Sequence, residues 1–268
     1  MTPFQVHSPT SFRVPILVSI PHCGTLFPDE IKNEYNQDLI QAPDDTDWFV
    51  HQLYDFAPTM GITMIHAVYS RWVIDLNRDP QSKPLYSDGR IITELCPTTN
   101  FLGKPLYKDA RKEVDPQEVN RRLENYYKPY HQKVEELLQE LKGKFGKVLL
   151  WDCHSIRQVV KTIQQDKFPD LILGDADGSS AFFMLTDATL EVLKSSAYTV
   201  QHNHPFKGGY LTRHFGKPTE GVNALQLEMT KVNYMDDEEL HYYQQRAGKM
   251  RMLLKKVFDA LIHRMTKL

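Results

Sequence analysis

Three stretches of this 268-residue chain are so continuously apolar that they fit only strands covered on both faces: VPILVSI (14–20), KVLLWDC (147–153) and NALQLEM (223–229). GITMIHAVY (61–69), WVIDLN (72–77) and LILG (171–174) read as further strands. Longer amphipathic patterns lie between them. The clearest runs from Asp115 through Leu141, with Asp115 as N-cap, Pro116 at the first helical position and Glu118 completing a capping box. Val119, Leu123, Tyr126, Tyr130, Val134, Leu137 and Leu141 then fall on one face. A shorter helix is expected over 45–57, and a C-terminal helix from near Asp236, with Glu239 three residues on, to the end. Strands alternating with helices imply an α/β sandwich. No repeat, low-complexity tract or linker divides the chain, so one domain over 1–268 is expected. The stretch from Asp79 to Ala110 carries Pro80, Pro84, Pro97 and Pro105 and is too long for a passive connector, which marks it as an active-site loop.

Charge narrows the partners. Thirty-two Lys and Arg against 34 Asp and Glu give a formal charge of -2, and the basic residues are dispersed instead of forming the stripe that a phosphate backbone requires. Nucleic acid is therefore not an expected partner. No apolar run approaches the roughly 18 to 20 residues of a membrane span, and the N-terminus lacks a basic start followed by an apolar core, so a cytoplasmic protein is expected. Cys23, Cys96 and Cys153 are an odd set without CxxC spacing, which points to neither a disulfide framework nor a cysteine-rich metal knot.

Three polar residues stand where buried strands end: His22 after ILVSIP, His154 after VLLWDC and Glu228 within ALQLEM. In open α/β sheets sites form at that edge. Two imidazoles and a carboxylate make the ligand set of hydrolytic zinc sites, which leave a position for water. The acidic turn Asp44–Asp45–Thr46–Asp47 offers the carboxylate, with Asp47 the choice; the same acids equally suit capping a helix and complementing its dipole. Asp75 and Asp152 are rivals, and each is also placed to orient a ligand histidine. Arg71, Asn77 and Arg78 lie in SRWVIDLNRDP (70–80), where an arginine fork on a carboxylate in a dry pocket is worth about 1.5 to 3 kcal/mol. Surface pairing of these arginines with Asp75 or Asp79 is the plainer alternative. FKGGYLTRHFG (206–216) puts paired glycines before Arg213, as a loop needs if its backbone is to approach a ligand. Glu228, charged in an otherwise apolar strand, needs a partner or a role, and burial would raise its pKa toward that of a general base and acid.

The segments VSIPHCGTLFP, DTDWFVHQLYDFA, YSRWVIDLNRDP, LCPTTNFLGKPLY, LLWDCHSI, PDLILGDADG, FKGGYLTRHFG and ALQLEM occur in the order found in the N-formylglutamate amidohydrolase family, which the chain resembles over nearly its entire length. The resemblance implies a zinc-exopeptidase-like three-layer sandwich around a central mixed, mostly parallel sheet. It implies one Zn2+ held by His22, Asp47 and His154, a set of two nitrogens and one oxygen that Co, Mn or Fe would also accept. Glu228 resembles the general base, and the Asn77-Arg78 pair with Arg71 resembles the Asn-Arg and Arg groups that hold substrate. On the mechanism these roles imply, Asn77, Arg78 and Arg213 are expected to bind the two substrate carboxylates, with Thr98 and Thr99 of the long loop as contributors, and Arg71 to face the developing oxyanion. Zinc relatives of this family carry a His-x-x-Glu motif, whereas Cys23, Gly24 and Thr25 follow His22 here. The implied substrate is N-formyl-L-glutamate; N-acetyl-aspartate or N-succinyl-glutamate, thiol hydrolysis through Cys23 or Cys153, and a non-catalytic pocket for acidic amino acids are the alternatives.

Overall fold

The computed structural model describes residues 2–81, 94–110 and 112–267. Its seven strands are β1 (Phe4–His7), β2 (Ile16–Ile20), β3 (Thr63–Ala67), β4 (Val148–Ile156), β5 (Leu171–Gly174), β6 (Val200–His202) and β7 (Val222–Thr230). They form one sheet in the order β1-β3-β2-β4-β7-β5-β6. The pairs β3–β2, β2–β4, β4–β7 and β5–β6 are parallel, and β1–β3 and β7–β5 antiparallel, so the sheet is mixed and mostly parallel as expected. The helices are α1 (Asp29–Lys32), α2 (Gln37–Ile40), α3 (Val50–Leu53), α4 (Pro116–Arg122), α5 (Lys128–Phe145), α6 (Phe183–Lys194), α7 (Tyr210–Phe215) and α8 (Gln244–Met265).

Side-chain alternation along the central strands divides the core in two. Leu149, Trp151 and Cys153 of β4 and Leu225, Leu227 and Met229 of β7 pack with α3, α6 and α8. Val148, Leu150 and Ala224 face the other way, against Tyr130, Val134, Leu137 and Leu141 of α5 and Leu211 and Phe215 of α7. Both β4 and β7 are buried at every residue, which is why their sequences lack alternation. No helix of the described residues is long and apolar enough to cross a membrane.

Four expectations are corrected. Residues 72–77 are not a strand: Val73 N–H donates to Ser70 O (2.9 Å) and Asp75 N–H to Leu95 O (2.8 Å), a run of turns whose Trp72, Val73, Ile74 and Leu76 are buried in the α5-side core. Burial made an irregular segment as apolar as a strand. The helix expected over 45–57 shrinks to α3, because Asp47 N–H donates to His22 O (3.0 Å) and Phe49 takes a left-handed backbone, φ 62°. The C-terminal helix starts at Gln244, not near Asp236: Oδ1 of Asp236 accepts from the N–H groups of Leu240 and His241, and Glu239 turns away to accept from Gln158 N–H (2.7 Å). The 115–141 pattern contains α4 and α5 joined by a π-helical turn, Leu123–Tyr127, with Asp115 capping Gln117 and Glu118 N–H as expected.

Candidate active site

The C-terminal ends of β2, β3, β4 and β7 share one edge of the sheet, and the polar residues gather there. His154 on β4 and Glu228 on β7 are register partners on the α5 face. His22 lies just beyond β2. Asp47 is brought over by the turn that hydrogen-bonds to the His22 carbonyl.

Ligand atoms of His22, Asp47 and His154 all lie within 4.8 Å of one another, and all three residues are buried. Each histidine presents Nδ1 to the same oxygen, Oδ2 of Asp47, at 3.8 Å from His22 and 3.3 Å from His154. Each is held from behind. His22 Nε2 donates to Oδ1 of Asp75 (2.7 Å), and His154 Nε2 donates to Oδ1 of Asp152 (3.0 Å). With Nε2 turned to these carboxylates, both Nδ1 atoms are aimed inward, the arrangement by which carboxylates orient metal-binding imidazoles; on His154 an ion taking Nδ1 would displace a proton. Asp75 and Asp152, weighed in the sequence as rival ligands, thus stand behind the histidines.

The acidic turn is sorted by its partners. Asp44 accepts from Asn100 Nδ2 (3.2 Å), while Asp45 accepts from Trp72 Nε1 (2.8 Å) and Phe101 N–H (3.1 Å). Both oxygens of Asp47 and Nδ1 of His22 are buried with no hydrogen-bond partner among the described residues. Buried polar atoms are rarely left so, since each costs roughly 1 to 3 kcal/mol. An inward-facing N, N, O set of this kind fits a divalent transition-metal ion.

The electrostatics are uneven. Burial, then Arg71, lowers His22 to about 4, which keeps it neutral. Burial also opposes charge on His154, but Asp152 and Asp47 outweigh it and hold this imidazole well above its usual value. Burial likewise opposes ionised Asp75, yet Arg71, His22 and Arg78 keep it well below the carboxylate range. Burial pushes the carboxyl of Glu228 up to about 8, with His154 pulling the other way.

Around this centre, Arg71 Nη2 donates to Oδ2 of Asp75 (2.7 Å), and Arg78 Nε lies 3.5 Å from the same oxygen. Asn77 Oδ1 accepts from Leu211 N–H (2.8 Å), which turns its Nδ2 toward Oδ2 of Asp152 at 3.5 Å, beside the His154 ring. The amide fits because residue 209 is glycine: a Cβ there would come within 2.2 Å of Asn77 Nδ2. Arg213, half-buried on α7, donates from Nε to Gly208 O (2.8 Å). Thr98 and Thr99 lie on a loop closed by Leu106 N–H on Thr98 O and by a bridge from Thr99 to Pro105. Residues 82–93 of the expected active-site loop lie outside the described residues.

Two supports escaped the sequence reading. Tyr127 Oη donates to Arg78 O (2.7 Å) and His131 Nε2 to Leu76 O (2.8 Å), so both carbonyls flanking Asn77 are held from the α5 side. The π-helical turn that sets Tyr127 has no sequence mark beyond the Tyr126–Tyr127 pair; such turns cluster at functional sites. The thiols of Cys23 and Cys153, by contrast, are buried in the α8-side core. Cys153 faces the α8-side core, opposite His154, and burial pushes both its thiol and that of Cys23 far above the range in which a thiolate forms.

Comparison with known proteins gives the family. The chain is 38% identical over 252 residues to the N-formylglutamate deformylase of Pseudomonas putida and 39% identical over 253 residues to that of Pseudomonas aeruginosa, with 93% of each chain covered in both cases. It superposes on the crystal structure of N-formylglutamate amidohydrolase from Ralstonia eutropha JMP134 with a TM-score of 0.79 at 26% identity, covering 100% of this chain and 98% of that one. The family model for N-formylglutamate amidohydrolase matches residues 14–235, which include every residue of the centre just described, and the chain belongs to that family.

Proposed function

We propose that this protein hydrolyses N-formyl-L-glutamate to formate and L-glutamate, using a divalent ion, zinc by preference, held by His22, Asp47 and His154. The observation that carries the reading is the buried, unpartnered set formed by both Asp47 oxygens and His22 Nδ1, with His154 Nδ1 turned to the same point. An ion held there lowers the pKa of its water to about 7 and polarises a carbonyl oxygen.

The protein's own groups account for the proton traffic. Glu228, raised by burial and drawn back by His154 and Arg71, takes a proton from the attacking water. The water oxygen adds to the formyl carbon and the carbonyl electrons move onto oxygen, where Arg71 offers its guanidinium to the new charge. Glu228 then returns the proton to the amide nitrogen as the carbon–nitrogen bond breaks. Asp75 keeps Arg71 aligned while orienting His22, so one carboxylate fixes two functional groups. Arg78 and Arg213 bind the substrate carboxylates, with Thr98 and Thr99 contributing hydroxyls, and Asn77 completes the wall beside His154. The partner is thus a small N-acyl acidic amino acid in the cytoplasm.

The test is formate release from N-formyl-L-glutamate by purified protein before chelation, after chelation and after zinc restoration. Turnover lost and recovered in step with bound zinc is expected. No turnover by zinc-loaded protein rejects the formyl substrate.

A further inference from the structure

Phe101 sits between Arg71 and a small cavity that the reaction as described does not use. Its ring centroid lies 4.7 Å from the Arg71 guanidinium carbon. Its backbone is pinned twice: both Asp45 oxygens accept its N–H, at 3.1 and 3.2 Å, and its carbonyl accepts from the Thr162 hydroxyl. The ring packs against the cluster of Ile156, Val160, Phe168 and Ile172. Phe101 is therefore a fixed wall, although it belongs to a loop. The cavity on this side is lined by Phe101 itself, Asp45, Ser155, Ile156, Val160 and Lys231. Lys231 is buried, and its ammonium donates to Asp44 O (2.8 Å).

We propose that the Phe101 ring sets the upper size of the acyl group, and that its removal would open the cavity beyond it to larger acyl chains. The inference rests on the reading of Arg71 as the oxyanion partner. The acyl carbon is one bond from the oxygen that Arg71 meets, so its remaining substituent lies against whatever flanks Arg71. A formyl group puts only hydrogen there; an acetyl group puts a methyl where the ring stands. A succinyl chain needs the space behind the ring, where its distal carboxylate would meet the buried Lys231 ammonium, with Arg157 also on the cavity lining. Formyl selectivity then comes from exclusion, because contacts to a lone hydrogen provide almost no discrimination.

The experiment compares zinc-loaded wild-type protein with Phe101→Ala and Phe101→Leu on N-formyl-, N-acetyl- and N-succinyl-L-glutamate, with zinc content and thermal unfolding measured in parallel. The acetyl-to-formyl ratio of kcat/KM should rise about tenfold or more in Phe101→Ala, with Phe101→Leu intermediate, the range expected for a single methyl against an apolar wall. Adding Lys231→Met to Phe101→Ala should remove the gain on the succinyl substrate and keep the gain on the acetyl one. Phe101→Leu carries the test if Phe101→Ala does not fold. A folded, zinc-loaded variant whose ratio stays within about twofold of wild type overturns the gate alone. Wild-type protein inactive on all three substrates overturns the functional reading and the gate with it.

Discussion

His154 and His22 offer the same nitrogen to the same Asp47 oxygen, but they are built from different distances in the chain. His154 takes its orienting carboxylate from Asp152, two residues earlier on the same face of β4. Thr212 Oγ1 steadies that carboxylate at 3.1 Å, and the Asn77 amide lies alongside. His22 depends on Asp75, 53 residues away, in a segment that is neither helix nor strand. Asp75 in turn carries Arg71, Arg78 and the N–H of Asn77. One half of the centre is thus fixed by a strand's own alternation, and the other hangs on a hub that also aligns the guanidinium groups. The lesson is that equivalent ligands need not be equally robust.

Substitutions sharpen this contrast in order of expected effect. Asp47→Ala, which removes the oxygen both histidines face, should abolish zinc retention and turnover together, read by metal analysis and formate release; a variant that keeps stoichiometric zinc would remove Asp47 from the ligand set. Glu228→Gln should lower kcat by roughly 10² to 10⁴ with zinc retained. Its pH profile should change as well. Burial raises this carboxyl to about 8, so the base form gains with rising pH and wild-type kcat/KM should climb along an acid limb that the glutamine variant lacks.

Comparing Asp75→Asn with Asp152→Asn tests the asymmetry itself. Both should weaken zinc binding by roughly 10- to 100-fold, by titration with a competing chelator. Only Asp75→Asn leaves Arg71 buried without its carboxylate, a loss of about 3 to 5 kcal/mol, so its unfolding midpoint should fall further. Equal destabilisation would break the comparison. The smallest effect is expected far from the ligands. Glu118 is held at about 2, first by its hydrogen bond to Arg121 and also by buried Arg122, which in turn donates to Val73 O beneath the hub. Because the folded value is depressed, this stabilisation is present above the ordinary Glu pKa and is lost as pH falls through the folded one. Glu118→Gln should therefore be less stable than wild type at pH 7, with the gap in denaturant midpoint closing toward pH 2.

The sequence went furthest where local rules govern the chain. The strands β2, β4, β5 and β7 were legible from unbroken apolar runs, the cap of α4 from Asp115 and Pro116, and the edge position of His22, His154 and Glu228 from where those runs end. The family resemblance added candidate roles. Spacing alone does not separate Asp47 from Asp44 and Asp45, since three acids in one turn differ only in what they meet: Asn100 for the first, Trp72 and Phe101 for the second, and two imidazoles for the third. Tertiary structure alone decided that WVIDLN is a buried turn, that Asp75 is a shared hub, that a π-helical turn clamps the backbone around Asn77, and that Phe101 both touches Arg71 and lines a cavity. Each depends on groups distant in sequence coming within hydrogen-bond or van der Waals reach. Periodicity and capping report only what a residue does with its neighbours along the chain.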